Sequence, residues 1–349
     1  MSGWSRCCRL LLVLAAAAGC GPSGAKLVSV QKIWDQAPHS AFTDLVRFQE
    51  QWYCTFREGQ DHTSHDGSIR VITSADGEVW SSVVHMQPEP GNDLRDPKLG
   101  VTPDGRLMLL AAERKSLGGE QEDYNPWVSF SKDGKEWTPR EPVGEPDFWL
   151  WRVTWHEGTG YGVGYTTREA YSHRNSQQEF ARLYKTEDGV RYETHVNVFF
   201  SRGYPNESKI VFHEDGTAVC LLRRDGKTDN SAQIGVSEPP YTLWNWKDTG
   251  QRIGGPNLIV LPDGRHVISG RLYLPDGDRR TLLWSLDPEA GTVSELLRLP
   301  SGGDTSYAGM VWHEGLLWMS YYSTHEEKTS VYLAKVDIPK PEPVEAVGY

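Results

Sequence analysis

Residues 206–225 read NESKIVFHEDGTAVCLLRRD. A strand-like run opens on Glu207, turns at His213-Glu214-Asp215-Gly216, and returns as an apolar run ending in Arg223 and Arg224. Asp-Gly between two such runs is a hairpin signal, because glycine supplies the positive φ that tight turns need. Antiparallel strands place the start of one beside the end of the next. A carboxylate and a guanidinium therefore bracket the same end of this unit.

The unit has siblings. Set in register on Glu207, they are FTDLVRFQEQWYCTFRE with Asp44, RDPKLGVTPDGRLMLLAAER with Asp96, WRVTWHEGTGYGVGYTTR with Arg152, IGGPNLIVLPDGRHVISGR with Gly255 or Pro256, and TSYAGMVWHEGLLWMSYYS with Tyr307. The step is close to 50 residues throughout, which marks a repeat architecture. A second motif follows in the same period. SADGEVW (74–80) and SKDGKEW (131–137) share Ser-x-Asp-Gly-x-x-Trp; TEDGVRY (186–192) is a softened copy, and SEPPYTLW and SLDPEAG are worn ones. In such a turn the Asp carboxylate accepts nearby backbone amides, the glycine takes positive φ, and the aromatic is left to pack between units.

Six all-β units predict a six-bladed β-propeller over residues 27–338. The last unit supplies three strands before Pro339, so LVSVQKIW (27–34) is expected to close the final blade. Tryptophan (14) and tyrosine (15) are abundant, as suits short strands rather than long helices. The formal charge of −11 counts against nucleic acid or an anionic membrane surface as partner.

Residues 1–20 read as an export signal. Arg6 and Arg9 precede the apolar run Leu10–Ala18, which is too short to span a bilayer. LAAAAGCG then resembles a bacterial lipobox, with Cys20 lipidated and becoming the mature N-terminus; an ordinary signal peptide cut near Gly21 is the alternative. Membrane contact is expected only through the lipid at Cys20. Residues 21–26 are a tether and 339–349 a tail. Cys54 and Cys220 lie in apolar strand patterns and are expected as buried thiols, not a disulfide.

The Asp-box and the six-unit period resemble the sialidase superfamily, including bacterial exo-sialidases. In that family a Glu opens the inner strand of the fourth blade and an Arg ends the next strand; Glu207 and Arg223 hold those places. The resemblance implies Tyr307 as nucleophile, Glu207 as its base, Asp66 in HTSHDG as acid/base, and Arg223 as a clamp on the substrate carboxylate. It also implies an arginine in the first blade, where this chain has Asp44, and a third, for which Arg252 is the candidate. A carboxylate at about 4 Å from a bound anion costs about 4 kcal/mol at an effective dielectric of 20. Arg57, Arg95, Arg152, Arg168 and Arg271 are expected to face the funnel, either to rebuild an anion site differently or to bind a different acidic sugar.

Three functions compete. The first is an exported exo-sialidase-like glycoside hydrolase releasing a terminal sugar, acidic sugars included. The second is a glycosidase using Asp44, Asp96 and Glu207, which resemble the carboxylates of five-bladed arabinanase-type enzymes, on a non-sialic sugar. The third is a non-catalytic carbohydrate-binding propeller, with Trp149 and Trp151 stacking on sugar rings. His62 and His65, with Asp61 and Asp66, have a spacing that suits a metal but read as loop residues over the pocket. No metal or other cofactor is called for.

Overall fold

The structure, a computed structural model, describes residues 24–118, 121–145, 148–167 and 179–340. The leader with Cys20, Arg168 and residues 341–349 lie outside the described residues. Six four-stranded antiparallel sheets follow one another around a ring, and the described residues contain no helix. The inner strands are His39–Phe48, Asn92–Val101, Phe148–His156, Pro205–Phe212, Gly254–Val260 and Thr305–His313. The sixth blade takes only three strands from the end of the chain. Its fourth is Lys26–Trp34, paired antiparallel with Ser330–Asp337, Val30 opposite Ala334. The expected closure of the ring is therefore the observed one.

Within each blade the chain runs up and down, so the start of the inner strand and the loop between the second and third strands share one rim. The Asp-boxes, between the third and fourth strands, share the other. In the first box Ser74 Oγ accepts the Gly77 amide at 2.8 Å, and Asp76 Oδ1 accepts Glu78 N at 2.8 Å and Val79 N at 3.2 Å. Ser131 with Asp133, and Thr186 with Asp188, repeat these bonds. The box glycines need their lack of a side chain. Gly134 has φ +74°, and a Cβ there would lie 2.1 Å from the Tyr53 hydroxyl oxygen of the preceding blade. Trp80 packs into a cluster with Trp52 and Trp318, which bridges the first and sixth blades. Cys54 and Cys220 are buried and unpaired, as expected.

The inner strands share an irregularity that sequence alternation does not reveal. Each carries extra residues near its start. The pairing skips between Ala41 and Asp44, Arg95 and Lys98, Leu150 and Arg152, Pro205 and Ser208, Gly254 and Asn257, and Ser306 and Gly309. In every blade the inner strand has one residue more than the second strand across the skip, which defines a β-bulge; outside the third blade two unpaired inner-strand residues oppose one. In the fourth blade the bulged pair is Asn206-Glu207 and the residue opposite is Arg223. Phe42, Asp96, Gly255 and Tyr307, first in their bulges, all have positive φ (62°, 55°, 55° and 43°). Non-glycine residues held there cost about 1–3 kcal/mol each, a strain that clusters at functional sites.

Candidate active site

The bulge turns Glu207 towards Arg223 on the neighbouring strand and towards Tyr307, one hundred residues away in the sixth blade. Tyr307 donates its hydroxyl proton to Glu207 Oε1 at 2.5 Å. Arg223 Nη1 reaches Glu207 Oε2 at 2.5 Å and the Tyr307 hydroxyl oxygen at 3.0 Å. Arg223 Nη2 pairs with Asp225 Oδ2 at 2.7 Å, and its Nε is buried without a partner. Glu207 is 7% exposed. This ring of three groups answers why a carboxylate and a guanidinium bracket one strand end: the bulged residues and the residue facing them form one corner of a shared basin.

The environment keeps Tyr307 protonated at rest. Burial and then the Glu207 charge push its phenol well above the ordinary value, while Arg223 and Arg271 pull in the opposite direction. The ring sits among Phe42 at 5.4 Å, Trp151 at 5.6 Å and Tyr322 at 6.2 Å, with Lys98 Nζ 5.8 Å from its centroid. Lys98 is buried, and desolvation followed by the Arg152 charge lowers its amine to about 8. Burial alone would raise Asp225, but Arg223, Asn206 and Arg252 hold it below the usual carboxylate range.

The other expected site residues fall into different places. Asp44 does not face the basin. It stands beyond the bulge, a layer deeper than Tyr307, and is 1% exposed. There it accepts the Leu99 amide at 2.8 Å and pairs with Arg152 Nη1 at 2.9 Å. The expected repulsion between Asp44 and a substrate anion therefore does not arise, and Arg152 is a partner of Asp44 rather than a clamp. Arg57 is 0% exposed. It binds Asp93 at 2.6 Å and the carbonyls of Asp61 and Ser64 at 2.8 and 2.7 Å, so it shapes the loop over the first blade. Arg95 pairs with Asp93 at 3.0 Å and with Asp96 at 3.2 Å. Arg271 donates from Nε to the Thr305 carbonyl at 2.7 Å and from Nη2 to Asp304 at 3.3 Å and to Tyr322 at 3.0 Å. Asp96 remains at the basin, 6% exposed in its bulge.

Asp66 is exposed and accepts the Gln60 amide at 3.3 Å; no hydrogen bond joins it to Glu207 or Tyr307. Its loop reaches the basin through His62, whose ring stands edge-on to Phe42 at 4.9 Å. His65 is exposed, and His62 has its histidine partner elsewhere than the spacing implied. His62 Nδ1 and His39 Nε2 both meet Asp304 Oδ2, at 2.6 and 2.9 Å, within reach of a common metal ion. Burial would raise Asp304, but the two imidazoles and Arg271 hold it far below its ordinary range. Trp149 and Trp151 are buried, at 8% and 2% exposed, against Tyr165 and Tyr307, so neither presents a free stacking face.

Sequence reasoning passed over Asp93, Asp225, Asp304, His39 and Lys98. His39, Asp93 and Asp304 each stand three residues before the first bulge residue of their blade, at Phe42, Asp96 and Tyr307, a spacing that only the observed bulges make visible.

No family model matches the chain, and no curated protein matches it. Solved structures do. A Dyadobacter fermentans protein of unknown function superposes with a TM-score of 0.76 at 19% identity, over 90% of this chain and 100% of that one. Trypanosoma rangeli sialidase bound to the inhibitor DANA gives a TM-score of 0.64 at 12% identity, over 89% of this chain and 59% of that one. Penicillium chrysogenum α-L-arabinanase with arabinobiose gives 0.64 at 11%, over 88% and 98%. At these identities the likeness is one of fold: the chain has the six-bladed propeller architecture found in sialidases and arabinanases.

Proposed function

We propose that this chain is an exported glycoside hydrolase acting on a terminal sugar, held at the cell envelope by a lipid on Cys20. The observation that carries the reading is the contact of the Tyr307 hydroxyl with both Glu207 and Arg223. A phenol is a weak nucleophile while protonated, and a carboxylate at 2.5 Å is placed to take its proton as the oxygen attacks an anomeric carbon. Arg223 then stabilises the negative charge shared by the carboxylate and the developing phenolate. The leaving-group oxygen needs a proton as its bond to the sugar breaks, and Asp66, on the loop carried over this rim, is the group assigned to it. Water releases the sugar from Tyr307 in a second step, with the proton flow reversed. Sialidases with a tyrosine nucleophile depart from the two-carboxylate scheme of other glycosidases in the same way.

One observation favours a sugar without a carboxylate over a sialic acid. Each described arginine at the basin already holds an acidic partner: Arg95 with Asp96, Arg223 with Glu207 and Asp225, Arg252 with Asp225, and Arg271 with Asp304. An incoming carboxylate would have to displace one of them.

The test is a reporter panel of aryl sialosides, uronides and arabinosides, run on wild type and Tyr307→Phe. Turnover by wild type and its loss in Tyr307→Phe are expected. Saturable glycan binding without turnover of any substrate would make the propeller a carbohydrate-binding module instead.

A further inference from the structure

The inner strands that carry Glu207 and Tyr307 at one mouth of the channel also line a second cavity, of about 420 Å³, towards the other. Lys209 lies two residues beyond Glu207 on the same strand, past the bulge, and two residues along a strand is a rise of about 7 Å. Lys209 thus stands below the basin, within the wall of the far cavity together with Arg152, Thr154, His156 and Asp44.

Lys209 is short of partners. Its Nζ donates to Thr154 Oγ1 at 3.0 Å, and Thr154 in turn donates to the Ile210 carbonyl at 2.8 Å. Among the described residues no carboxylate lies within ion-pair distance of the ammonium. Arg152 spends Nη1 on Asp44, and its Nε is buried with no acceptor. A buried donor left unmatched is costly, and more so when it is charged. Asp44 serves Arg152 and also faces Lys209, the cation it must share in the far cavity, while Lys98 has Asp96 and Glu207 beside it as well. This is a surplus of donors and of positive charge around a space open to solvent.

We propose that this far cavity is an anion-binding site in which Lys209 and Arg152 take a small oxyanion group. The ligand class follows from the donor set. Lys209 has spare N–H bonds, Arg152 sets a second positive charge beside it, and the wall beyond them, from Val211, Val260 and Val311, is apolar. A carboxylate or a tetrahedral oxyanion at the end of a compact molecule matches that arrangement; a cation does not. The site is separate from the glycosidase chemistry proposed at the opposite mouth and does not depend on it.

Anion binding here is coupled to a proton. Desolvation and then Arg152 lower the Lys209 amine to about 7, with Asp44 opposing. The groups facing it are Arg152 and His156 on the third blade, Asp44 on the first and Lys98 on the second; the fifth and sixth blades offer Asn257, Met310 and Val311, which do not titrate. A bound anion favours the charged amine, so binding draws a proton from solvent near and above neutral pH.

The experiment uses inorganic sulfate and acetate, whose own charges do not change between about pH 6 and pH 8.5, with isothermal titration at fixed ionic strength. Sulfate or acetate should bind at least about tenfold more weakly at the higher pH, and near pH 8 binding should take up about 0.9 proton per anion. Preference for sulfate identifies a tetrahedral oxyanion as the ligand, and preference for acetate a carboxylate. Lys209→Met should weaken binding by about tenfold or more, while Arg223→Met should leave it unchanged. Equal binding in wild type and Lys209→Met overturns the proposal. So do binding lost in Arg223→Met but kept in Lys209→Met, no saturable binding of either anion, and, should Lys209→Met not fold, binding by wild type without proton uptake.

Discussion

Asp44 is the residue whose removal tests the ring most directly. Its carboxylate is 1% exposed, accepts Leu99 N at 2.8 Å, and meets Arg152 Nη1 at 2.9 Å. These contacts join the first blade to the second and third. Asp44→Asn keeps the shape and can keep the bond to Leu99, but it strips the charge that compensates Arg152. At about 3 Å and an effective dielectric of 20 the lost attraction is about 5 kcal/mol. Measured losses for one partner of a buried pair run at about 3–5 kcal/mol, and that is the expected cost near pH 7.5. Urea denaturation of the purified protein reads it. Arg152→Met should cost a similar amount alone, whereas the double variant should fall short of the sum by about 2 kcal/mol or more, because the second change removes the orphaned charge. An Asp44→Asn loss below about 1 kcal/mol, or simple additivity in the cycle, would falsify the claim that Asp44 locks the inner ring rather than serving a ligand.

Glu207→Gln should slow turnover of whichever glycoside the panel identifies by about 10²–10⁴-fold, since it removes the proton acceptor for Tyr307, while substrate affinity changes little; an undiminished rate would remove Glu207 from the chemistry. Lys209 sets a stability slope. Its amine titrates at about 7 in the native protein against 10.5 for the unfolded reference, so between those values the unfolded chain holds a proton that the native one lacks, and stability from this group rises with pH across that window. Lys209→Met should flatten this rise in denaturation midpoints taken from about pH 6.5 to pH 10, and an unchanged slope would show that the rise has another source. Gly309→Ala should cost about 3 kcal/mol or more, because a Cβ there would lie 2.0 Å from the Leu45 backbone nitrogen, where no flexible side chain can yield. A melting temperature within a degree or so of wild type would mean that the seam between the sixth and first blades opens easily.

The blades were legible because their signals are local. A strand pair with a Gly turn and an Asp-box that satisfies its own amides are each written in fewer than twenty consecutive residues, and the structure reproduces the three best-formed Asp-boxes bond for bond. Closure by residues 27–34 followed from counting strands in the last unit. Glu207, Arg223 and Tyr307 were legible too, but through likeness to known propellers and not through spacing, since nothing local says that Tyr307 meets a residue one hundred positions earlier. The arginines could be placed near the funnel, but their partners could not. Arg57 and Arg95 turn on Asp93, which looked like an ordinary loop acid in GNDLRDP.

The misplacement of Asp44 has a more specific cause. Strand alternation assigns faces by parity, and parity survives only while pairing is regular. Each inner strand breaks that regularity with a bulge near its start, and the bulge is what exposes Glu207 and Tyr307 to one another. An alignment that ignores it puts Asp44 level with Glu207, although Asp44 is the first regularly paired residue beyond its own bulge and Glu207 lies within one. Asp44, Lys98, Arg152 and Asn257 then form one ring and Phe42, Asp96, Gly255 and Tyr307 another, nearer the basin. The deeper ring carries the Asp44–Arg152 pair, which joins the first blade to the third; the nearer one carries backbone strain and the groups proposed for chemistry. That division is why removing the Asp44 charge is expected to destabilise the protein, whereas removing the Glu207 charge is expected to leave it as stable but inactive.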